Sequence, residues 1–172
     1  VGEPVTDQQF VIVHNTLTAE DPGSTYPSAP LKLTPWEGTT AIELLPGGEV
    51  RVETRAGDWW GAGLEVDADV GENLSRFKNG HMHFEIRGSS DVNFSFGFQT
   101  GSFLRGDQVN NFASFGPGTD NLVGEEWRTV TLPIPELDGG TDLSDVTNVV
   151  AFLSRAKAPD RILYLRNIYF TQ

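Results

Sequence analysis

Short runs in which apolar and polar residues alternate dominate the chain. The clearest two cover residues 81–87 and 92–99, where every second side chain is apolar. A period of two places the apolar positions on one face of a β-strand and the polar positions on the other. Only residues 88–91 separate the runs, which is short enough for a hairpin. Pairing of the two strands would give one buried face and one polar face.

Further short apolar runs, separated by 19 Gly and 10 Pro in all, predict an all-β chain. These predicted strands are Phe10–Val13, Ala41–Leu45, Glu49–Thr54, Gly63–Val66, Thr129–Pro133, Val149–Ser154 and Ile162–Phe170. Apolar residues occupy both faces in Val149–Leu153, which indicates a central strand. Residues 101–124 read as a long polar loop, and Trp127 as a core residue. The predicted architecture is a jelly-roll-like β-sandwich of two antiparallel sheets, forming one domain over residues 1–172.

Charge and composition narrow the functional classes. The chain carries 24 Asp and Glu against 12 Lys and Arg, a net charge of −12. Such a surface repels phosphate backbones and anionic lipids, so we expect neither nucleic acid nor membrane as a partner. The absence of cysteine excludes disulfides, zinc–thiolate sites and cysteine nucleophiles. Neutral sugars and divalent cations remain as ligands.

Three tryptophans are candidate sugar-stacking residues. The apolar face of a pyranose ring packs on an indole while its hydroxyls remain free for polar partners. Trp59 and Trp60 are adjacent in a predicted strand, so one should be buried and the other exposed. Gly61 and Gly63 leave room beside them, either for a ligand or for close packing. Trp36, in a loop, is a weaker candidate that fits a structural role equally well.

The polar positions of the two alternating runs form the second candidate site. Their side chains are of the kinds that hydrogen-bond vicinal hydroxyl groups, and the predicted ligand-binding residues among them are His83, Glu85, Arg87, Asn93 and Gln99. A hydrated sheet face with cross-strand ion pairs is the alternative explanation. His81 and His83 alone are too few ligands for a zinc site.

The acidic stretch at residues 65–73 allows two other chemistries. Glu65, Asp67 and Asp69 alternate like the carboxylates of a retaining glycosidase, but such enzymes end this motif with Glu, and the chain turns at Gly71. Residues 67–73 also resemble a calcium loop that lacks its third Asp. We expect no catalytic residue here, and an acidic turn rather than a calcium site.

The order of several motifs resembles that of galactose-binding-like β-sandwich (jelly-roll) carbohydrate-binding modules, with C-terminal modules of bacterial exo-β-glucanases the most similar group. The motifs are Phe10–Thr18, Asp58-Trp-Trp-Gly-Ala-Gly-Leu64, Asn73-Leu-Ser75, Gly80-His-Met-His-Phe-Glu-Ile86, Glu126-Trp-Arg-Thr-Val-Thr-Leu-Pro133, Asp142-Leu-Ser-Asp-Val146 and Leu163–Phe170. Their order and spacing carry the resemblance, since no single motif is specific. Asn73 replaces an Asp of the family pattern. Arg166 replaces another, which argues against a calcium site near the last strand.

The resemblance implies a non-catalytic module that binds a β-linked polysaccharide, most readily a β-glucan. Such a module targets an attached glycoside hydrolase within a larger multidomain protein, located outside the cell or in the periplasm. It requires no cofactor, with a structural Ca²⁺ ion, held for example by Asn15, Glu20, Asp21 and Asn167, as an open alternative. Two other functions stay open: a small jelly-roll glycosidase or lyase using Glu65, Asp67 and Asp69, and a structural or adhesion domain that binds no sugar.

Overall fold

In a computed structural model, residues 2–13, 23–140 and 142–172 are described, and they form twelve strands. The strands are β1 Gln9–Val13, β2 Ser24–Thr25, β3 Leu31–Pro35, β4 Thr40–Leu45, β5 Glu49–Thr54, β6 Trp60–Val66, β7 His81–Gly88, β8 Phe94–Thr100, β9 Val109–Phe115, β10 Arg128–Pro133, β11 Val146–Ser154 and β12 Ile162–Thr171. Short 3₁₀ turns cover Trp36–Gly38, Ser75–Phe77 and Ile134–Glu136. Within these ranges no helix is long and apolar enough to cross a membrane.

One sheet contains seven strands and is organised around β12. Strand β7 pairs with β12 on one side and with β10 on the other. On its opposite edge, β12 pairs with β5 through its first half and with β1 through its second half. Strands β4 and β2 extend these two branches, and only the short β1–β2 pair is parallel. The length of β12 therefore joins two groups of strands into one sheet.

The second sheet contains five antiparallel strands in the order β3-β6-β11-β8-β9. Strand β11 lies at its centre, as the two apolar faces of Val149–Leu153 predicted. The middle of β11 is buried on both sides, since Val150 and Phe152 lie in the core and Ala151, on the outer side, is 0% exposed. The expected all-β sandwich of two sheets is confirmed, with the β1–β2 pair as its one parallel contact among the described strands.

Aromatic side chains from both sheets fill the space between them. Phe84 on β7 meets Phe96 on β8 with ring centroids 4.3 Å apart. Trp60 is 1% exposed and packs against Phe94 and Phe152, with centroids at 5.8 and 6.5 Å. These tilted contacts are the arrangement that aromatic rings prefer, and they add to the free energy of apolar burial.

The predicted β7–β8 hairpin is wrong. Strand β7 pairs with β10 and β12, whereas β8 pairs with β11 and β9, so the two strands belong to opposite sheets. Their apolar faces point into the same core from its two sides. Alternation reports which side chains are buried, and the same alternation arises whether two strands are neighbours or face each other. The polar platform expected from one hairpin is consequently divided between two outer faces.

Two smaller expectations also fail. Strand β9 occupies Val109–Phe115, inside the stretch expected to be a long loop. The strand is only partly buried, so its sequence lacks the regular alternation of apolar and polar residues that identified the other strands. Trp127 is half-buried and contacts side chains on the outer face of the seven-stranded sheet rather than the core. Its position before the apolar residues of β10 does not determine the face to which its side chain turns.

Replacing Trp60 by Ala should lower the free energy of unfolding by about 3–5 kcal/mol, because the substitution leaves a large cavity among Phe94 and Phe152. Trp59→Ala is the matched control, since Trp59 is adjacent but only half-buried. Urea unfolding of the two variants measures the difference. Equal losses in both variants would contradict the assignment of Trp60 to the core.

Candidate functional site

The residues predicted to bind ligand lie in four places. Trp36, Trp59 and Gln99 are on the outer side of the five-stranded sheet, and His83, Glu85 and Arg87 on the outer side of the seven-stranded sheet. Trp60 is in the core and cannot contact a ligand. Asn93 is exposed just before β8, where its amide donates to the Pro117 carbonyl at 2.8 Å. Two separate polar faces replace the single predicted platform.

Trp36 lies against the backbone of β6. A Cβ atom added to Gly61 would come within 2.5 Å of Cε3 of Trp36, and one added to Gly63 within 3.3 Å of Cζ2. The glycines therefore provide the space that the benzo ring fills. Thr39 fixes the turn, since its hydroxyl donates to the Trp36 carbonyl at 2.7 Å and accepts from the Gly61 amide at 2.9 Å. The indole stays half-buried, which leaves part of it open to a ligand.

Trp59 lies on the same side of the sheet. It precedes β6 at the parity of Gly61 and Gly63, and it is half-buried, whereas its neighbour Trp60 is buried. The expectation that one of the two is buried holds for Trp60, and Trp59 is half-buried rather than exposed. The outer side of the five-stranded sheet thus has two indoles near the start of β6.

A row of amide side chains crosses the same sheet. Nδ2 of Asn148 donates to Oε1 of Gln99 at 3.0 Å, and Nε2 of Gln99 donates to Oδ1 of Asn110 at 2.7 Å. Glu65 is paired with Asn148 in the strand register and accepts from the Thr34 hydroxyl at 3.2 Å. Oδ1 of Asn148 is buried without a hydrogen-bond partner. We refer to Asn148, Gln99 and Asn110 as the amide row.

Sequence reasoning found Gln99 but missed Asn148 and Asn110. A signal was present for Asn148, since it directly precedes the apolar run Val149–Leu153 of a central strand. A buried amide is retained where its hydrogen bonds are satisfied or where it serves a ligand. For Asn110 no such signal existed, because the surrounding stretch was interpreted as a polar loop.

The outer side of the seven-stranded sheet is built differently, around stacked cations. The guanidinium of Arg87 lies 4.1 Å from the Tyr164 ring centroid and 5.0 Å from that of Trp127. Arg166 covers Trp127 at 4.1 Å. These cation–π contacts occupy the ring faces of Trp127 and Tyr164. Arg87 therefore acts first as a packing partner of aromatic rings on this sheet.

Next to this stack, Glu85 and His83 are held by several partners. Nη2 of Arg166 lies 3.1 Å from Oε1 of Glu85, and the Asn167 amide donates to the other carboxylate oxygen. Burial acts to raise the pKa of Glu85, but the hydrogen bonds from Arg166 and Asn167 outweigh it and lower the pKa below its usual value. Burial, together with the charge of His81, lowers the pKa of His83, which is therefore neutral at physiological pH.

The acidic stretch does not form a catalytic array. Glu65 is on β6, but Asp67 and Asp69 are exposed beyond the end of that strand at Val66. The three carboxylates thus do not share one strand face. A retaining glycosidase requires two carboxyl groups held about 5 Å apart across the scissile bond.

The oxygen atoms proposed for a calcium loop have other partners. Oε1 of Glu72 accepts from the amide and the hydroxyl of Ser28 at 2.9 and 2.8 Å, and Oδ1 of Asn73 accepts from Ser75. Nowhere in the described ranges do three His, Cys, Asp or Glu residues converge as a metal site. The candidate cation ligands Asn15, Glu20 and Asp21 lie outside the described residues, and Asn167 is engaged with Glu85.

Protonation of Glu85 should destabilise the protein. Because the folded state lowers the pKa of Glu85, its contribution is complete above the ordinary pKa of glutamate and is lost as the pH falls through the folded value. Melting temperatures measured from neutral to acidic pH should fall less steeply for Glu85→Gln than for the wild type. Glu43→Gln is the control, since Glu43 is 57% exposed and 3.6 Å from its partner Arg51. Parallel curves for wild type and Glu85→Gln would refute this role.

Comparison with known proteins returns carbohydrate-binding modules. The family model described as carbohydrate binding domain 30 matches residues 5–172. A crystal structure of a family 30 carbohydrate-binding module aligns with a TM-score of 0.60 and 22% identity, over 77% of this chain and 73% of that one. The family 30 module of a cellulosomal cellulase of Clostridium thermocellum aligns with a TM-score of 0.60 and 19% identity, over 99% and 95% of the two chains.

A family 29 carbohydrate-binding module in complex with mannohexaose aligns with a TM-score of 0.58 and 12% identity, over 97% of this chain and 93% of that one. No curated protein sequence matches the chain. Structural likeness at these identities establishes the shared sandwich fold. The match to the family model extends over nearly the whole chain and concerns binding rather than catalysis.

Proposed function

Because the chain belongs to the carbohydrate-binding domain 30 family, we propose that it binds a β-glucan along the outer side of its five-stranded sheet. The domain is a non-catalytic carbohydrate-binding module. The observation that carries the choice of face is Trp36, an indole held on Gly61 and Gly63 beside the amide row. Aromatic surface and fixed amides are the two components that recognition of a neutral sugar requires.

Stacking on Trp36 and Trp59 supplies the apolar part of the binding energy. The axial hydrogens of a glucose ring form an apolar face that matches an indole in size. Trp36 is already immobilised by its contacts with β6 and by Thr39, so a bound sugar does not have to order it. A group fixed before binding costs less conformational entropy when the complex forms.

The amide row and Glu65 provide the hydrogen bonds that distinguish one sugar from another. Each amide offers both a donor and an acceptor, and Asn110 is the exposed member that a ligand reaches, with Gln99 and Asn148 buried behind it. Carboxylate and amide groups on neighbouring strands can address hydroxyls on successive sugar units. Between Trp36 and β9 the register joins Gly63, Ala151 and Gly97, none with a side chain larger than a methyl group. All three are buried, and Trp36 and Asn148 lie over Gly63, so a bound chain would contact the side chains that cover this strip.

The chemistry of the face favours a β-linked polymer of equatorial sugars, which is extended and has flat apolar faces. We infer β-glucan as the first ligand and β-mannan as the second. The family 29 neighbour was solved with mannohexaose, which makes mannan the relevant competitor. Binding by stacking and hydrogen bonding requires no cofactor.

We further propose that residues 1–172 act as one binding domain that directs an attached glycoside hydrolase to its substrate, outside the cell or in the periplasm. The family 30 neighbour from Clostridium thermocellum is part of a cellulosomal cellulase, which is the kind of parent protein this arrangement implies. A net charge of −12 is compatible with a neutral polymer and unfavourable for a polyanion.

Replacing Trp36 by Ala should weaken β-glucan binding by about 1–3 kcal/mol, roughly tenfold to a hundredfold, because the stacking surface is removed. Trp127→Ala is the matched control, since Trp127 is a half-buried indole on the opposite sheet. Affinity electrophoresis in lichenan and laminarin, with calorimetry on soluble oligosaccharides, provides the measurement. Parallel gels with glucomannan and galactomannan rank the two candidate polymers.

Thermal melts must accompany these assays so that loss of binding is separated from loss of folding. The proposed face would be rejected if Trp36→Ala kept full retention while Trp127→Ala lost it. Stronger retention on galactomannan than on either glucan would replace β-glucan by β-mannan as the ligand, with the face unchanged.

A further inference from the structure

A cavity of about 310 Å³ opens on the seven-stranded sheet, on the opposite side of the sandwich from Trp36. Five of its lining residues, from β1, β7, β10 and β12, are polar, namely Gln9, His83, Glu85, Thr129 and Asn167, and Phe84 and Tyr169 complete the wall. Its volume is at the lower end of the range for small-molecule sites, about 300–1,000 Å³. The proposed binding of a glucan chain by the five-stranded sheet makes no use of it.

The walls of this cavity are fixed in advance. His83 stacks on Tyr169 with ring centroids 4.6 Å apart and is hydrogen-bonded to Thr171 and Thr131 at 2.7 and 3.2 Å. Glu85 is held by Arg166 and Asn167. Arg166, which holds Glu85, is itself stacked on Trp127 at 4.1 Å.

The backbone of β12 is distorted at this point in a way that serves the cavity. The register between β12 and β7 shifts between Arg166 and Tyr169, and Asn167 has a φ of 51°. This left-handed conformation is unfavourable for a residue with a side chain, although Asn tolerates it best. The bulge brings both Arg166 and Asn167 onto Glu85. Bulges and strained residues concentrate at functional sites, where neighbouring contacts maintain them.

The charges indicate the class of ligand. Arg166 neutralises Glu85, so the cavity offers no net charge to a metal cation or to an anion. His83 is neutral, because burial lowers its pKa. Both ring nitrogens of His83 are bonded to threonine hydroxyls, so the cavity offers fixed amide, hydroxyl and carboxylate groups beside the rings of His83 and Tyr169. These groups match a neutral ligand that has several hydroxyl groups on a compact ring.

We propose that this cavity is a second carbohydrate site, which accepts one or two pyranose rings and acts independently of the five-stranded sheet. The inference rests on the proposed carbohydrate-binding function, but it concerns different residues and a shorter ligand. An open sheet face suits the interior of a polymer, whereas a small bounded cavity suits the end of a chain or a side branch. One module would then contact two chains, or two parts of one chain.

The test uses the full chain and methyl β-D-glucopyranoside as the probe, followed by backbone amide chemical shifts. We expect shifts around Gln9, Thr129 and Tyr169 that saturate with the same dissociation constant in the wild type and in Trp36→Ala. Asn167→Gly should bind the probe about tenfold more weakly, as expected for the loss of one hydrogen-bonding group at the site and of the support for Glu85. Glycine accepts the positive φ, so this variant should remain folded.

Asp160→Gly is the matched control. Asp160 also has a positive φ, at 59°, but it lies in the exposed turn before β12 and does not line the cavity. It should bind the probe like the wild type. Methyl β-D-glucuronide should not compete, since Arg166 already pairs with Glu85 and the carboxylate of the glucuronide would be desolvated without a cation of its own. Competition by the glucuronide, shifts confined to the five-stranded sheet, or unchanged affinity in Asn167→Gly would each overturn the proposal.

Failure here is distinguishable from failure of the proposed function. If the cavity responds to the probe while Trp36→Ala keeps full retention of β-glucan, the glucan face is wrong and the second site stands. If Trp36→Ala loses β-glucan and the cavity gives no response, the second site is wrong and the glucan face stands.

Discussion

The rest of the structure depends on the aromatic layer between the two sheets. Phe84 projects from one sheet and Phe96 from the other, and their contact at 4.3 Å fixes how the sheets face each other. Side chains alternate between the two faces of a strand, so when every second side chain is buried in this core the others face outward. The polar residues at the other parity of β7 and β8 must then point away from the core, in opposite directions. The two outer faces follow from the packing of the interior.

The two faces satisfy their polar groups by different means. On the five-stranded sheet, Gly61 and Gly63 have no side chains, and the indole of Trp36 fills the space above them. Uncharged amides hydrogen-bond to one another across the strands. On the seven-stranded sheet, guanidinium groups cover aromatic rings and neutralise Glu85. The first solution leaves apolar ring surface available to a ligand. The second covers its ring surface at Trp127 and leaves a bounded polar cavity beside it.

Sequence patterning predicts much of the fold and less of the site. Seven strands besides β7 and β8 were predicted close to their observed bounds, since burial of one face repeats every second residue. Pairing could not be predicted, because β7 and β8 show the same alternation across the core that they would show as neighbours. Strand β9 was missed, and Trp127 was assigned to the core, because composition does not report which sheet face a side chain reaches. Asn148 and Asn110 could be recognised as site residues only from the strand register, which pairs both of them with Gln99.

Charge placement connects the two faces to the kind of ligand they suit. Asp67 and Asp69 are exposed beyond the end of β6, so part of the net charge of −12 lies in loops rather than on the sheets. On the sheets, Arg166 pairs with Glu85, and Arg51 lies within 3.6 Å of Glu43 and 2.8 Å of Glu53. The net negative charge of the whole molecule repels polyanions. On the sheets themselves, the ion pairs leave a local charge close to zero for a ligand that binds there. At the two proposed sites, recognition of an uncharged sugar would therefore depend on ring stacking and on the direction of individual hydrogen bonds.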